Sequence, residues 1–473
     1  MWRGFLSTIL LLAAASVVSA EDFVLGMGIA FKQTCNAESG LCVTWVRPAG
    51  AAGRAGIQAG DVLLRLGDSA IADLRDIAPL LRNAPSDLLL DAQVLRNGAI
   101  LNIRISFSPA DEASNNTNAM LVPTSADFEV LPPPNAVPST GDGLKEGETR
   151  VVDDNGVLTF AHRSARENVS VTGGSLQLPM ARVAGTDIWI LQLKRASWDE
   201  AFLSYSITED GNSVPAKFEY FRGARAPMMP TEATGLKGQL RQETLHSKIL
   251  GEDRKVTVYL PPVQRRGPLA MLLMADGQAC REFAVVAEPM ILAGTVRPFA
   301  IVGVHAATAL PSASYDPTKD RRSREYLPIV DPTTVARHLR FVIQEVLPWA
   351  TRRFHLSSKR EDDALIGFSN GAAFVVYAAL THGELFAHAL PFSANYDGSD
   401  QQVDGKRSLD LPYFHFAAGR LERPFETMSM RAKAHIQELG GRTEIRIYDS
   451  GHDMLMWQRA LADYLPRVFP QHD

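Results

Sequence analysis

Hydrophobic positions along the chain change rhythm three times, and each rhythm predicts a different architecture. Across 151–225 apolar and polar residues alternate in short runs, at 157–160, 169–171, 176–178, 188–193, 202–207 and 216–220. Gly, Asn and Asp turns separate these runs, a pattern that predicts a small β-sandwich. From about Gln239 the runs become wholly apolar and alternate with helical periods. An antiparallel pair is expected at 245–250 and 255–260, and buried strands at 269–274, 299–304, 364–366, 413–417 and 444–448. Helices are expected near 281–292, 333–354, 371–380, 424–439 and 454–469. This alternation predicts a mostly parallel, doubly wound sheet over 238–473, with reacting groups at the carboxyl ends of its strands. Before both modules, 21–108 reads as α+β: a strand around 29–31, a small-residue turn, a short helix, the Gly60-Asp61 turn and an aliphatic strand. Between them, 109–150 is rich in Pro, Asn and Gly and reads as an extended linker.

Length and composition narrow the class. A chain of 473 residues exceeds what one core supports, so several domains are expected. With a net charge of −5 the chain has no basic excess to neutralise phosphates, which argues against nucleic acid as partner. Residues 1–20 carry one arginine, an apolar stretch and a small-x-small ending, the pattern of a cleaved export signal with Glu21 as first mature residue. The expected location is therefore periplasmic or secreted, with no membrane span after cleavage. There an oxidising compartment permits a local disulfide between Cys35 and Cys42, leaving Cys280 buried.

The chemistry gathers at Gly367-Phe368-Ser369-Asn370-Gly371, where a buried strand meets an apolar helix. Gly-x-Ser-x-Gly at such a junction is the nucleophile elbow of α/β-hydrolases, a tight turn that lifts the serine hydroxyl above the sheet edge. A serine nucleophile needs a base, and the base needs a carboxylate to orient it. His452 follows an expected strand in Ser450-Gly451-His452-Asp453 and is the candidate base. Glu422, after the strand at 413–417, is the candidate acid, with Asp449 as its rival. The Asn370 backbone N–H is one candidate oxyanion donor, and Gly277 or Gln278 of Asp276-Gly277-Gln278 supplies the other. Arg322 and Arg324, in a loop with Asp320 and Arg321, are candidates for receiving an anionic substrate. No His/Cys/Asp cluster has metal-ligand spacing, so the reading requires no metal or cofactor.

Two resemblances extend these readings. Ala55-Gly56-Ile57-Gln58-Ala59-Gly60-Asp61-Val62-Leu63 closely matches the signature of bacterial PDZ domains. That resemblance implies a second helix near 77–81 and closing strands at 88–95 and 99–107. It also implies a peptide carboxylate held by the amides of Gly26, Met27, Gly28 and Ile29, with the peptide added to the following strand. Over about 150–470, five ordered segments resemble the putative-esterase family, which includes enterochelin (enterobactin) esterases. They are Asp276-Gly277-Gln278, the stretch from Arg322 to Pro328, the Ser369 elbow, Ala418-Gly419-Arg420-Leu421-Glu422, and Gly451-His452-Asp453 with Trp457. The resemblance implies a Ser369–His452–Glu422 triad and ester hydrolysis through an acyl-enzyme, with a siderophore trilactone as first substrate expectation. Alternative readings are an esterase acting on plant-polymer or cell-envelope esters, and a periplasmic PDZ adaptor with an inactive hydrolase domain.

Overall fold

A computed structural model describes residues 21–24, 29–32, 40–46, 51–58, 60–71, 89–106, 128–173, 176–210, 212–263, 267–307, 320–399 and 410–471. The chain divides into two compact units, one built mainly of residues up to 199 with 205–221, the other mainly of 222–473 with 200–204. Among the described residues, no helix is long and apolar enough to cross a membrane.

The first unit opens with the strands β1 (Glu21–Val24), β2 (Ile29–Lys32), β3 (Leu41–Val46), β4 (Val62–Leu66), β5 (Ser69–Ala70), β6 (Leu89–Arg96) and β7 (Ala99–Ser106). They form one sheet in the order β1-β2-β3-β4-β6-β7, with β5 on β4 and the short helix α1 (Ala51–Arg54) beside it. Leu41, Val43, Ile57, Leu63, Leu66, Val94 and Ile105 make its core. Asp61 of the Gly-Asp turn is buried, bonds the Gln58 N–H and pairs with Arg96 at 2.6 and 2.7 Å, fixing the turn onto β6. The expected second helix near 77–81 lies outside the described residues.

The sandwich is larger than the pattern predicts. One sheet runs β13 (Ala181–Arg182), β14 (Ile188–Lys194), β10 (Val157–Arg163) and β9 (Thr149–Asp154), with β8 (Glu129–Val130) on β14. The other runs β12 (Leu176–Pro179), β11 (Val169–Gly173), β15 (Phe202–Glu209) and β16 (Asn212–Arg222). Residues 128–150, read from composition as linker, belong to this module. Leu144 is 2 % exposed and joins Ala161, Val183, Ile188 and Ile190 in a small core with Val137 against it. A Pro- and Gly-rich segment can therefore be ordered where a few apolar side chains pin it.

In the second unit eight strands form one sheet, ordered β17-β18-β20-β19-β21-β22-β23-β24. β17 (Gln239–Ser247) and β18 (Glu252–Leu260) make an antiparallel hairpin. β20 (Phe299–Val304) joins β18 antiparallel, and from there β19 (Ala270–Ala275), β21 (Asp363–Phe368), β22 (His388–Phe392), β23 (Tyr413–Gly419) and β24 (Thr443–Tyr448) run parallel. Helices α2 (Cys280–Leu292), α3 (Arg321–Tyr326), α4 (Pro332–Phe341), α5 (Leu347–Phe354), α6 (Asn370–Thr381), α7 (Arg423–Glu438) and α8 (Met454–Val468) follow, a π turn at Val342–Val346 joining α4 to α5. One core faces α2 and α8, the other faces α4 to α7, so the parallel strands are buried on both sides except the edge strand β24, expected as buried but half-exposed because it has a neighbour on one side only. This is the α/β-hydrolase arrangement, and its strand ends define one rim.

Candidate active site

Ser369 stands between β21 and α6 with φ 56° and ψ −128°. That conformation is strained for a residue with a side chain, and the surrounding contacts enforce it. A Cβ on Gly367 would lie 2.3 Å from the Gly371 carbonyl oxygen, so only glycine lets the strand end and first helical turn press together. The Ser369 N–H donates to the Phe392 carbonyl at 3.0 Å, tying the elbow to β22. Asn370 is the first residue of α6, where a backbone N–H has no intrahelical acceptor and remains available for an oxyanion.

Glu422 and His452 lie on loops after the next parallel strands. Gly419 ends β23, and the chain turns so that Glu422 is 1 % exposed. Its Oε2 lies 2.5 Å from His452 Nδ1, while its Oε1 accepts the Gly419 N–H at 2.6 Å. Phe425 stacks on the imidazole with ring centroids 4.1 Å apart. Trp457 meets the imidazole edge at 5.0 Å and stacks on Phe368, the residue before the nucleophile, at 4.3 Å. These aromatic contacts bring the histidine loop and the elbow to one part of the rim. Of the two carboxylates considered from sequence, Glu422 rather than Asp449 holds the ring Nδ1. Asp453 N-caps α8 through the Met456 N–H and also accepts the Ser204 N–H at 3.0 Å. Burial pushes its carboxyl up to about 6.

The third loop follows β19. Asp276 adopts a left-handed φ of 57°, its N–H donates to the Tyr326 hydroxyl at 2.9 Å, and Gly277 and Gln278 begin the turn that leads into α2. A Cβ on Gly277 would meet the Gly303 carbonyl at 2.1 Å, so this turn can close against β20 only with glycine there. The Gln278 side chain spans from Asp276 Oδ1 (3.2 Å) to the Ala306 N–H (3.3 Å). The Asn370 side chain accepts from Asn395 at 2.8 Å and donates to Ser323 Oγ at 3.2 Å.

The arginines expected to receive substrate are engaged by carboxylates. Arg322 forms a two-pronged pair with buried Asp276, both bonds at 2.7 Å, and Arg324 pairs with Asp331 at 2.7 and 2.9 Å. They lie on helix α3, capped by Asp320, where the sequence suggested a loop. Two further residues at the site escaped the sequence reading of roles. Ser393, just past β22, bonds Glu422, and Trp457 bonds Ser393. A polar residue immediately after an apolar strand is the only trace Ser393 leaves in the sequence.

In the first unit Ile29 opens β2, while Gly26, Met27 and Gly28 lie outside the described residues. β2 is paired on both sides, by β3 and by β1, the latter from Glu21↔Lys32 to Val24↔Ile29. The edge expected to accept a peptide is thus occupied by the chain itself, because β1 lies antiparallel along it and satisfies its backbone groups. Cys42 is disulfide-bonded, and Cys35 lies outside the described residues. Cys280 is a free, buried thiol.

Residues 247–468 match the protein family described as "Putative esterase", and residues 26–107 match the family described as "PDZ domain". The chain joins a PDZ domain to an esterase-family α/β-hydrolase domain. It is accordingly an enzyme of the carboxylic ester hydrolase class. The chain is similar in fold to the enterobactin esterase from Shigella flexneri, solved in the presence of enterobactin. That likeness has 18 % identity and a TM-score of 0.53, covering 68 % of this chain and 95 % of that one. The ferric enterobactin esterase from Salmonella typhimurium is similar at 17 % identity and a TM-score of 0.53, covering 68 % and 98 %. At these identities the likeness establishes the esterase fold. No curated protein matches the chain.

Proposed function

We propose that this chain is an exported serine esterase in which Ser369 is the nucleophile, His452 the general base and Glu422 the residue that orients the base. The 2.5 Å contact between Glu422 and His452, on a loop held against the elbow by Trp457, carries this reading. His452 takes the Ser369 proton as the hydroxyl attacks the ester carbonyl, and Glu422 stabilises the imidazolium that forms. The Asn370 N–H and an amide of Gly277 or Gln278 receive the developing oxyanion. His452 then protonates the leaving alkoxide, and afterwards activates the water that releases the acyl group.

The proposed substrate is a siderophore-type lactone, a reading supported by the fold shared with enterobactin esterases over 68 % of this chain. We further propose that the PDZ domain takes a peptide C-terminus, in competition with Glu21–Val24 for the edge of β2. Turnover of a p-nitrophenyl ester is expected to vanish in Ser369→Ala, and undiminished turnover would refute the nucleophile. Ferric and iron-free trilactones, assayed beside aryl and feruloyl esters, test the substrate. A clear preference for the simple esters would overturn the lactone reading.

A further inference from the structure

The acid of the triad points one oxygen at the base, so whatever holds its other oxygen controls that aim. Glu422 Oε1 accepts two hydrogen bonds, from the Gly419 N–H at 2.6 Å and from Ser393 Oγ at 2.8 Å. The second donor is unusual in its own geometry. Ser393 is completely buried, takes a left-handed φ of 52°, and stays tied to β23 through its N–H on the Ala417 carbonyl at 2.7 Å. Such a conformation in a residue with a side chain is costly and persists only where its surroundings impose it.

A hydroxyl has one proton to give, and its direction is set by what the oxygen accepts. Trp457 Nε1 donates to Ser393 Oγ at 2.8 Å, which leaves the hydroxyl proton for Glu422. The indole itself is held by its stack on Phe368 and by its edge contact with His452. One side chain therefore touches the residue before the nucleophile, touches the base and, through Ser393, reaches the acid.

From this geometry we propose that Ser393 is a positioning residue for the triad acid, its hydroxyl locked by Trp457 so that Glu422 presents Oε2 to His452. The proposal rests on the triad reading above. Replacing the serine by a residue without a hydroxyl would leave the buried indole N–H without its acceptor and remove one of two donors from the carboxylate.

Ser393→Gly is the direct test, because glycine accepts the left-handed φ without strain. With a p-nitrophenyl ester, kcat is expected to fall about tenfold with KM within about twofold of the parent, the size of a lost hydrogen bond to a charged group. In a Glu422→Ala background, where no acceptor remains for Ser393 to hold, the same change is expected to leave the residual kcat unaltered. A Ser393→Gly kcat within twofold of the parent overturns the proposal, as does an equal loss in both backgrounds. If Ser393→Gly does not fold, Trp457→Phe, which keeps an aromatic stack and removes the N–H, carries the same comparison: a loss in the parent background that is absent with Glu422→Ala. Ser369→Ala separates the two levels. Full turnover in Ser369→Ala sinks the esterase reading itself, whereas an inactive Ser369→Ala beside an unimpaired Ser393→Gly sinks only the positioning role.

Discussion

Ser369, Ser393 and Asp276 share a backbone feature that composition cannot reveal: all three are non-glycine residues with φ between 52° and 57°. They follow β21, β22 and β19, at the carboxyl ends of neighbouring parallel strands, so three of the four such residues described in this domain lie where the proposed chemistry is, the fourth being His355 at the end of α5. The opposite end of β21 carries a different tension. Asp363 opens that strand with Oδ1 buried and lacking a hydrogen-bond partner, and burial, reinforced by neighbouring Asp362, pushes its carboxyl up to about 8. The folded protein thus keeps a proton that the unfolded chain releases near pH ~4. Between these values the native state binds more protons, so this group makes stability fall as pH rises to about 8, after which its effect is constant. Asp363→Asn removes that slope. Thermal melts should show the gap between variant and parent widening in the variant's favour up to about pH 8 and then levelling. A gap independent of pH would show that Asp363 does not titrate this way.

Helix α3 shows how a short element can brace two loops of a site at once. Its Tyr326 accepts the Asp276 N–H, its Arg322 grips the Asp276 carboxylate, and its Ser323 accepts from Asn370. Both proposed oxyanion loops are therefore braced by six residues, Arg321–Tyr326. If Arg322 braces the loop, Arg322→Gln should lower kcat at least tenfold with KM little changed, and cost about 3 kcal/mol of stability by stranding a buried carboxylate. A raised KM with kcat intact would instead return Arg322 to substrate binding. Steady-state kinetics with a denaturation curve distinguishes these outcomes. The sequence showed α3 only as a charged loop, because six residues are too few for a helical period. β22 left no strand signal either, since its five residues include Pro391, a residue that argues against a central strand. The structure accommodates it where pairing with β23 lapses between Ala389↔Phe414 and Phe392↔Ala417.

At the scale of the molecule, long apolar periods carried most of the legible information. Four of the five helices expected from periodicity match observed ones to within a residue or two, and the 333–354 period is divided by the π turn. The loops bearing Ser369 and Glu422 could be located because each follows a run of buried strand residues, and that of His452 because it follows a strand whose apolar and polar residues alternate and which is half-buried up to Tyr448. What stayed hidden depends on contacts remote in sequence: Leu144 sealing a segment that composes like a linker, and Trp457 reaching Ser393 across 64 positions. Local pattern records what a residue prefers, whereas these features depend on what the assembled fold places beside it.

Covalent labelling of the nucleophile tests the central claim most directly. The intact protein is exposed to a fluorophosphonate and the modified residue is located by peptide mass mapping. A single adduct on Ser369, absent in Ser369→Ala and formed far more slowly in His452→Ala, is the predicted result. An adduct on another residue, or labelling of Ser369 at the same rate without the imidazole, would contradict the account.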